Sequence, residues 1–189
     1  LLESKASIAT VYSRYEEISS LKTLWTTGRQ VAELTKASIL SGADAAQTVK
    51  RYDEMYSKTP SSRTSEQVAE LTKVSLLTRK SAEEVAAVYT EIKETKDSFF
   101  GSWSTGLQVA ELTKTTILSG LPIQQVVARF DEIYGKSRSS LGWARGETPA
   151  ELTKISLLGD FSADQVVDRY HEIDAKKALW TGGAQLAEL

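Results

Sequence analysis

The sequence predicts an all-α protein of tandem helical hairpins, stacked into an elongated solenoid or a linked bundle. Three observations support this prediction. The triplet Ala-Glu-Leu occurs five times, and four of these copies extend to Ala-Glu-Leu-Thr-Lys. An aromatic residue follows each of the first four motif glutamates after 19 residues. Amphipathic segments with helix-start signals recur in register with these landmarks, so each repeat contains two predicted helices.

The repeat boundaries follow from the spacing of the landmarks. The interval from glutamate to aromatic is constant, whereas the interval from the aromatic to the next motif glutamate varies between 18 and 22 residues. Variable length is typical of a connecting loop. The predicted organisation is a partial repeat at 1–24, full repeats at 25–62, 63–102, 103–142 and 143–179, and the start of a further repeat at 180–189.

The first segment of each repeat begins with a capping signal and ends in an apolar pair. In Thr27-x-x-Gln30 and its copies at 64/67 and 105/108, the hydroxyl can accept from a backbone amide while the glutamine side chain reaches back. The motif leucines and the apolar pairs that precede the loop are predicted to be buried: Leu34, Leu71, Leu112, Leu152, and then Ile39-Leu40, Leu76-Leu77, Ile117-Leu118 and Leu157-Leu158.

The second segment also begins with capping boxes, at 44/47, 81/84 and 162/165, while Pro122 replaces the cap in the third repeat. Its apolar residues fall at i, i+4 and i+7, for example Val126, Phe130 and Ile133. Two short helices cannot bury such stripes alone, so neighbouring hairpins are expected to stack. Glycines 42, 120 and 159 mark the turns between the segments.

Eight aromatic residues are predicted to form the repeated structural core. The tryptophans stand eight residues before the motif glutamate, with glycine three residues later. An aromatic ladder that presents itself to a ligand or to single-stranded nucleic acid is the alternative. We interpret the aromatic residues as core because they recur at the same positions of each repeat as the predicted buried residues. They are Trp25, Tyr52, Tyr89, Trp103, Phe130, Trp143, Tyr170 and Trp180.

Two charged patterns recur with the same period. Glu-x-x-Lys occurs at 33/36, 70/73, 111/114 and 151/154, and we expect i, i+3 pairs on a solvent-exposed face rather than a repeated binding contact. An arginine directly precedes the aromatic at 14, 51, 129 and 169, with a glutamate three residues later. These arginines could bridge between repeats or pair within their own helix, and the sequence does not distinguish the two.

The composition disfavours several classes of site. The chain has no cysteine and one histidine, His171, which occurs in a single repeat. The chain therefore lacks the residues needed for thiolate metal sites and cysteine nucleophiles, and a repeated Ser-His-Asp triad would lack its histidine. We expect no catalytic residue, no metal and no cofactor. With 23 basic and 25 acidic residues, a wide phosphate-binding surface is disfavoured. No signal peptide or membrane span is recognisable; localisation and oligomeric state stay open.

The stretch Trp143-Ala-Arg-Gly-Glu-Thr-Pro-Ala-Glu-Leu, followed by Val166, Val167 and Tyr170, resembles the WY domains of oomycete host-translocated effectors. Its Trp-x-x-Gly frame recurs at 25, 103 and 180. The resemblance implies tandem helical modules whose surfaces bind host proteins. It also implies buried structural pairs between the tryptophan and the aromatic of each such repeat: Trp25 with Tyr52, Trp103 with Phe130, and Trp143 with Tyr170.

A second resemblance concerns the stretch 158–170, Leu-Gly-Asp-Phe-Ser-Ala-Asp-Gln-Val-Val-Asp-Arg-Tyr, which looks like the second and third helices of a Myb or SANT repeat. That resemblance implies a nucleic-acid-binding array. The helix after the turn is acidic, however, which disfavours phosphate and would suit a SANT-like module that binds protein tails. The acidic residues are Asp44, Asp53, Glu54, Glu83, Glu84, Asp164 and Asp168.

The function expected from these patterns is a non-enzymatic protein-interaction scaffold, such as a pathogen effector module that binds host proteins. A nucleic-acid-binding array and a structural spacer without a specific ligand are the alternatives. The candidate partner-binding residues are Phe99, Phe100 and Leu141, in the two longer loops at 95–102 and 135–142. Apolar residues in loops of variable length indicate a contact surface, although Phe99 or Phe100 could instead fill the space around Trp103.

Overall fold

The computed structural model describes residues 6–21, 27–59, 64–97, 106–137 and 147–176. These residues form nine α-helices and no strand, so the predicted all-α class is confirmed. The helices are α1 Ile8–Ser20, α2 Gly28–Ser41, α3 Ala45–Lys58, α4 Ser65–Thr78, α5 Ala82–Asp97, α6 Gly106–Ser119, α7 Ile123–Ser137, α8 Glu147–Leu158 and α9 Ala163–Lys176. We call α2, α4, α6 and α8 the first-segment helices, and the five odd-numbered ones the second-segment helices.

The chain divides into two compact units, Leu1–Thr90 and Glu91–Leu189. In the first unit α1 packs on α2 and α3, α2 packs on α3 and α4, and α3 packs on α4. In the second unit α6 packs on α7 and α8, α7 packs on α8 and α9, and α8 packs on α9. Helices of the same type therefore pack on one another within each unit, α1 on α3, α2 on α4, α6 on α8 and α7 on α9, in addition to the contacts between neighbours in sequence.

The second-segment helices begin as their sequences predict. Asp44 accepts from the Gln47 amide at 2.7 Å, while the Gln47 side chain accepts from the Asp44 amide at 3.2 Å. The same two-way bonding occurs at 81/84 and 162/165. In the first-segment helix α4, Thr64 accepts from the amide of Gln67. The Gln67 side chain is buried, and its Oε1 has no hydrogen-bond partner in the described part of the chain, so the predicted reciprocal bond is not made there.

The first-segment helices end in a left-handed residue at one register position. Gly42 and Gly120 have φ of +76° and +68° there, whereas Arg79 and Asp160 take the same conformation at +59° and +55°. Gly159 lies in its turn as expected, but the residue after it makes the left-handed step. A Cβ on Gly159 would meet the Phe161 ring, so glycine is needed there for close approach.

The core lies along the repeated aromatic register. Tyr52, Tyr89, Phe130 and Tyr170 are all buried, and burial raises the pKa of Tyr52 to about 12. In the second unit one cluster joins three helices: Ile133 of α7, Leu152 of α8, and Ala163, Val166, Val167 and Tyr170 of α9. The four predicted core tryptophans lie outside the described residues. Across the described ranges, every helix is too short or too polar to cross a membrane.

Candidate partner-binding surface

The arginine that precedes a core aromatic connects one hairpin to the next. Arg51 of α3 donates through Nη1 to Ser75 Oγ at 2.5 Å and to the Lys80 carbonyl at 2.7 Å. Ser75 donates to that same carbonyl at 2.6 Å. The planar guanidinium suits this arrangement because it presents several donors in a fixed geometry. The turn after α4 is thus bonded both by Arg51 of α3 and by Ser75 of α4.

Equivalent contacts start from Arg14 and Arg129. Arg14 donates to Ser38 and to the Ala43 carbonyl, and Arg129 donates to Ser156 and to the Phe161 carbonyl. The Nε atoms of these arginines and of Arg51 also lie 3.1 to 3.3 Å from the glutamate three residues later. The two alternatives that the sequence left open therefore occur together: each arginine pairs within its helix and bridges to the following hairpin.

The predicted i, i+3 pairs of the Glu-x-x-Lys motif form at 70/73, 111/114 and 151/154. Their expected position on a solvent-exposed face is wrong, because the motif lies between helices. Lys73 Nζ is 2.9 Å from Glu33 of α2 and 2.7 Å from Glu70 of its own helix, and only 7% of Lys73 is exposed. In the second unit Lys154 contacts Glu151 and also lies 3.6 Å from Glu111 of α6. This face is covered because α2 packs beside α4 in the first unit and α6 packs beside α8 in the second.

The local electrostatics keep this cluster ionised. Burial alone would raise the pKa of Glu33, but the adjacent Lys73 ammonium holds that pKa below its usual range. Burial alone would likewise lower the pKa of Lys73, but Glu70 and Glu33 raise it above its usual range. A desolvated ion pair of this kind stays charged because each partner offsets the cost of burying the other.

The interior hydroxyl groups are also engaged in structural bonds. Four buried threonines of the first-segment helices each donate to the carbonyl four residues earlier, at 2.7 to 2.8 Å. They are Thr35, Thr72, Thr113 and Thr153. In the described ranges, no group of three or more His, Cys, Asp or Glu side chains is placed to hold a metal ion.

Three leucines at the ends of first-segment helices are exposed, contrary to the prediction that these apolar pairs are wholly buried. Leu77, Leu118 and Leu158 stand seven residues after the motif glutamate and are 42, 45 and 47% exposed. Adjacent helical residues point about 100° apart, so the second member of each pair turns away from the core. Leu118 and Leu158 both belong to the second unit, and we call these two residues the exposed leucine row.

The leucine row continues across neighbouring helices within the second unit. The contact between Lys154 and Glu111 aligns α8 with α6, so Leu118 and Leu158 occupy the same register on two packed helices. Phe161 follows α8 and is 48% exposed. Sequence reasoning missed this surface because it treated each apolar pair as one unit; the helical angle between its members was the available signal.

An open groove of about 320 Å³ lies in the first unit, where α1 ends and α3 begins. It is lined by Glu17, Ser20, Leu21, Asp44, Ala45 and Ala46. At the equivalent register between later second-segment helices, ion pairs span the gap: Lys58 with Glu83 at 2.7 Å, and Lys136 with Asp164. Leu21 and Ala46 replace such a pair, which leaves the groove partly apolar.

The candidate partner-binding residues from the sequence, Phe99, Phe100 and Leu141, lie outside the described residues. The structure therefore does not relate them to the exposed leucine row. The chain matches no model of a known protein family, and no curated protein matches it significantly.

Proposed function

We propose that this chain is a non-enzymatic helical-repeat scaffold that binds another protein, with its hairpins stacked in a solenoid. The observation that carries the proposal is the exposure of Leu77, Leu118 and Leu158 at one repeated register. Full burial of a leucine side chain contributes about 1.5–3 kcal/mol, so a partner that covers such a row gains affinity from each repeat that it spans.

The arrangement of polar groups supports this proposal. Arginine, serine and threonine side chains of the interior serve contacts within and between helices, as in Arg51 with Ser75 and Thr72 with Val68. These groups hold the framework together, whereas the apolar row faces solvent. Apolar surface grouped in this way is typical of protein-binding faces. The resemblance to WY domains makes a host protein the expected class of partner.

The charge of the second-segment helices favours a protein partner over nucleic acid. Asp44, Glu83, Glu84, Asp164 and Asp168 are exposed near the beginnings of these helices. Carboxylates in that position repel phosphate and weaken the Myb-like alternative. A structural spacer, the other alternative, would need no apolar row.

Affinity capture from host-cell lysate, with the captured proteins identified by mass spectrometry, tests the proposal. The parent chain is compared with the double variant Leu118→Ser, Leu158→Ser and with a loop variant, Phe99→Ser, Leu141→Ser. Ala128→Ser is the matched control, since Ala128 is an exposed helical residue of α7. We expect one or more proteins to be captured by the parent and the control and lost in the leucine variant, with unchanged melting temperature.

The loop variant and a nucleic-acid assay separate the alternatives. Loss of capture in the loop variant alone would move the binding surface to the loops. A salt-dependent gel shift with DNA or RNA, in the absence of any captured protein, would support the nucleic-acid array instead. Absence of both protein capture and gel shift would favour the spacer.

A further inference from the structure

The groove between α1 and α3 lacks the lysine that spans two equivalent gaps elsewhere in the chain. Lys58, in the last turn of α3, lies 2.7 Å from Glu83 of α5. Lys136, in the last turn of α7, contacts Asp164 of α9. Both lysines stand six residues after the core aromatic of their helix, and Leu21 takes that position after α1. The groove is therefore open where a lysine spans those two gaps.

The groove carries a carboxylate on each side although the bridging acid is also absent. Ala46 occupies the position of Glu83, so the acidic partner of the lysine is lost. Asp44 stands two residues earlier; its side chain accepts a backbone amide but pairs with no cation in the described part of the chain. Glu17 lines the groove from α1, and its side chain is 53% exposed. The described lining therefore attracts a cation and supplies none.

The second unit shows how a cation at this position interacts with its surroundings. The Asp164 carboxylate bonds to the ammonium of Lys136 and raises the pKa of that lysine, and Glu132 raises the same pKa further. Glu132 has the register of Glu17, and it too is paired with the arginine three residues earlier. Pairing with that arginine therefore leaves Glu132 able to attract an ammonium group in the gap. We expect the same of Glu17, which pairs with Arg14.

The rest of the lining suits the stem of a lysine. Leu21, Ala45 and Ala46 line the groove beside the carboxylates, and Leu21 is 48% exposed. A lysine combines a four-carbon apolar stem with a terminal ammonium, so its stem can cover apolar surface while its charge reaches an acid. The groove volume of about 320 Å³ leaves room for one long side chain.

We propose that the groove between α1 and α3 binds a lysine side chain of a protein partner. The stem lies on Leu21 and Ala46, and the ammonium lies between Glu17 and Asp44. A lysine from outside thus makes the contact that Lys58 and Lys136 make within the chain. This inference rests on the proposed function in taking the ligand to be part of a protein, but it concerns a surface of the first unit and does not require the exposed leucine row.

Peptide titrations followed by amide chemical shifts test the proposal. The probe is a pentapeptide of glycine, alanine, lysine, alanine and glycine with both ends capped, and the matched probe carries norleucine in place of lysine. We expect the lysine peptide to shift the amide signals of Ala45 and Ala46. It should bind about fivefold more tightly than the norleucine peptide, because norleucine keeps the stem and lacks the charge.

Two variants remove one carboxylate each. Asp44→Asn keeps a residue that caps helices well and removes only the charge, and Glu17→Gln does the same on α1. Each should weaken binding of the lysine peptide about two- to fivefold and leave the norleucine peptide unaffected. Glu54→Gln is the matched control, since Glu54 has the register of Glu17 in the gap that Lys58 spans. It should bind the lysine peptide as the parent does.

Rebuilding the missing pair should close the groove. Leu21→Lys combined with Ala46→Glu reproduces the residues at 58 and 83, and we expect it to abolish the shifts caused by the lysine peptide. Unchanged binding in this double variant would overturn the proposal. Equal binding of the lysine and norleucine peptides, or no shift at Ala45 and Ala46 with millimolar lysine peptide, would overturn it as well.

Two further variants separate this proposal from its neighbours. Lys22 follows Leu21 in the chain and lies outside the described residues. Peptide binding that occurs only in Lys22→Met would overturn the proposal by assigning the groove to the chain's own lysine. The double variant Leu118→Ser, Leu158→Ser should bind the lysine peptide as the parent does. Failure of the groove and failure of the proposed function are therefore distinguishable.

Discussion

Arg51 Nη1 and Ser75 Oγ, which belong to consecutive hairpins, lie 2.5 Å apart. The carbonyl of Lys80, in the turn after α4, accepts a hydrogen bond from each of them. The arginine of one hairpin is therefore hydrogen-bonded directly to the turn of the next hairpin. Where the sequence has Val88 in place of this arginine, it has Thr116 in place of the serine. Thr116 bonds to the carbonyl of Leu112 in its own helix.

Arg51→Ala should lower the free energy of unfolding by about 1.5 kcal/mol, because hydrogen bonds to a charged group are lost and the turn loses one donor. Arg169→Ala is the matched control: it has the same register but pairs with Glu172 alone in the described part of the chain, and both side chains are exposed. We expect about 0.5 kcal/mol or less for it. Chemical denaturation measures both. Similar losses for the two variants would mean that the inter-hairpin bonds contribute little.

The Arg51 and Ser75 changes should not be additive. In a double-mutant cycle, a coupling of about 0.5 kcal/mol or more is expected for side chains in one hydrogen-bonded network. Arg51→Ala combined with Ser156→Ala is the control, since Ser156 bonds to Arg129 in the other unit. If the losses in unfolding free energy from Arg51→Ala and Ser75→Ala are additive, the bond of Ser75 to the Lys80 carbonyl holds the serine without help from Arg51.

Lys73→Met should destabilise the protein by about 3 kcal/mol, because it leaves Glu33 and Glu70 close together without their cation. The companion variant Glu33→Gln tests the pH dependence. The pKa of Glu33 is lowered by folding, so its stabilisation is complete above its ordinary pKa and is lost as pH falls through the lowered value. The stability difference between parent and Glu33→Gln should therefore shrink below about pH 4.

Lys73 gives the opposite dependence at alkaline pH. Its pKa is raised by folding, so its contribution is complete below the ordinary lysine value and is lost as pH rises through the raised one. Denaturation of the parent and of Lys73→Met across both ranges measures this. A stability difference independent of pH would contradict the ionised cluster.

Arg79→Gly should stabilise the protein by about 0.5–1 kcal/mol, because it removes the cost of a left-handed conformation from a residue with a side chain, at φ +59°. Gly42→Ala is the reverse control at the same register. In the described structure a Cβ on Gly42 would meet nothing within 4 Å, so any loss there comes from the backbone. Thermal melts of both variants measure this: we expect the melting temperature to rise for Arg79→Gly and to fall for Gly42→Ala.

Phe130→Ala should cost about 3–5 kcal/mol through lost burial and the cavity that remains. Phe130 is buried and stacks on Tyr134 with ring centroids 5.8 Å apart. Leu118→Ala removes an apolar side chain from the exposed row, and we expect about 0.5 kcal/mol or less from it. Denaturation curves that show equal losses would mean that the leucine row belongs to the core.

The sequence by itself determined the helical class and much of the local structure. Capping boxes such as Asp44 with Gln47 depend on residues three apart, and the buried register of Phe130 depends on helical periodicity, so both can be recognised without a fold. The regular Ala-Glu-Leu spacing likewise located every first-segment helix. Such features depend on nearby residues, and their interaction partners are contained in the same short stretch of sequence.

Tertiary packing alone decided how each face of those helices is used. Glu33 and Lys73 are 40 residues apart, and only the packing of α2 on α4 brings them together. The same packing buries Lys73 and leaves Leu77 exposed, a reversal of what their polarity suggests. Burial of a side chain depends on which helix lies beside it, and that neighbour is set by long-range contacts that no local pattern specifies.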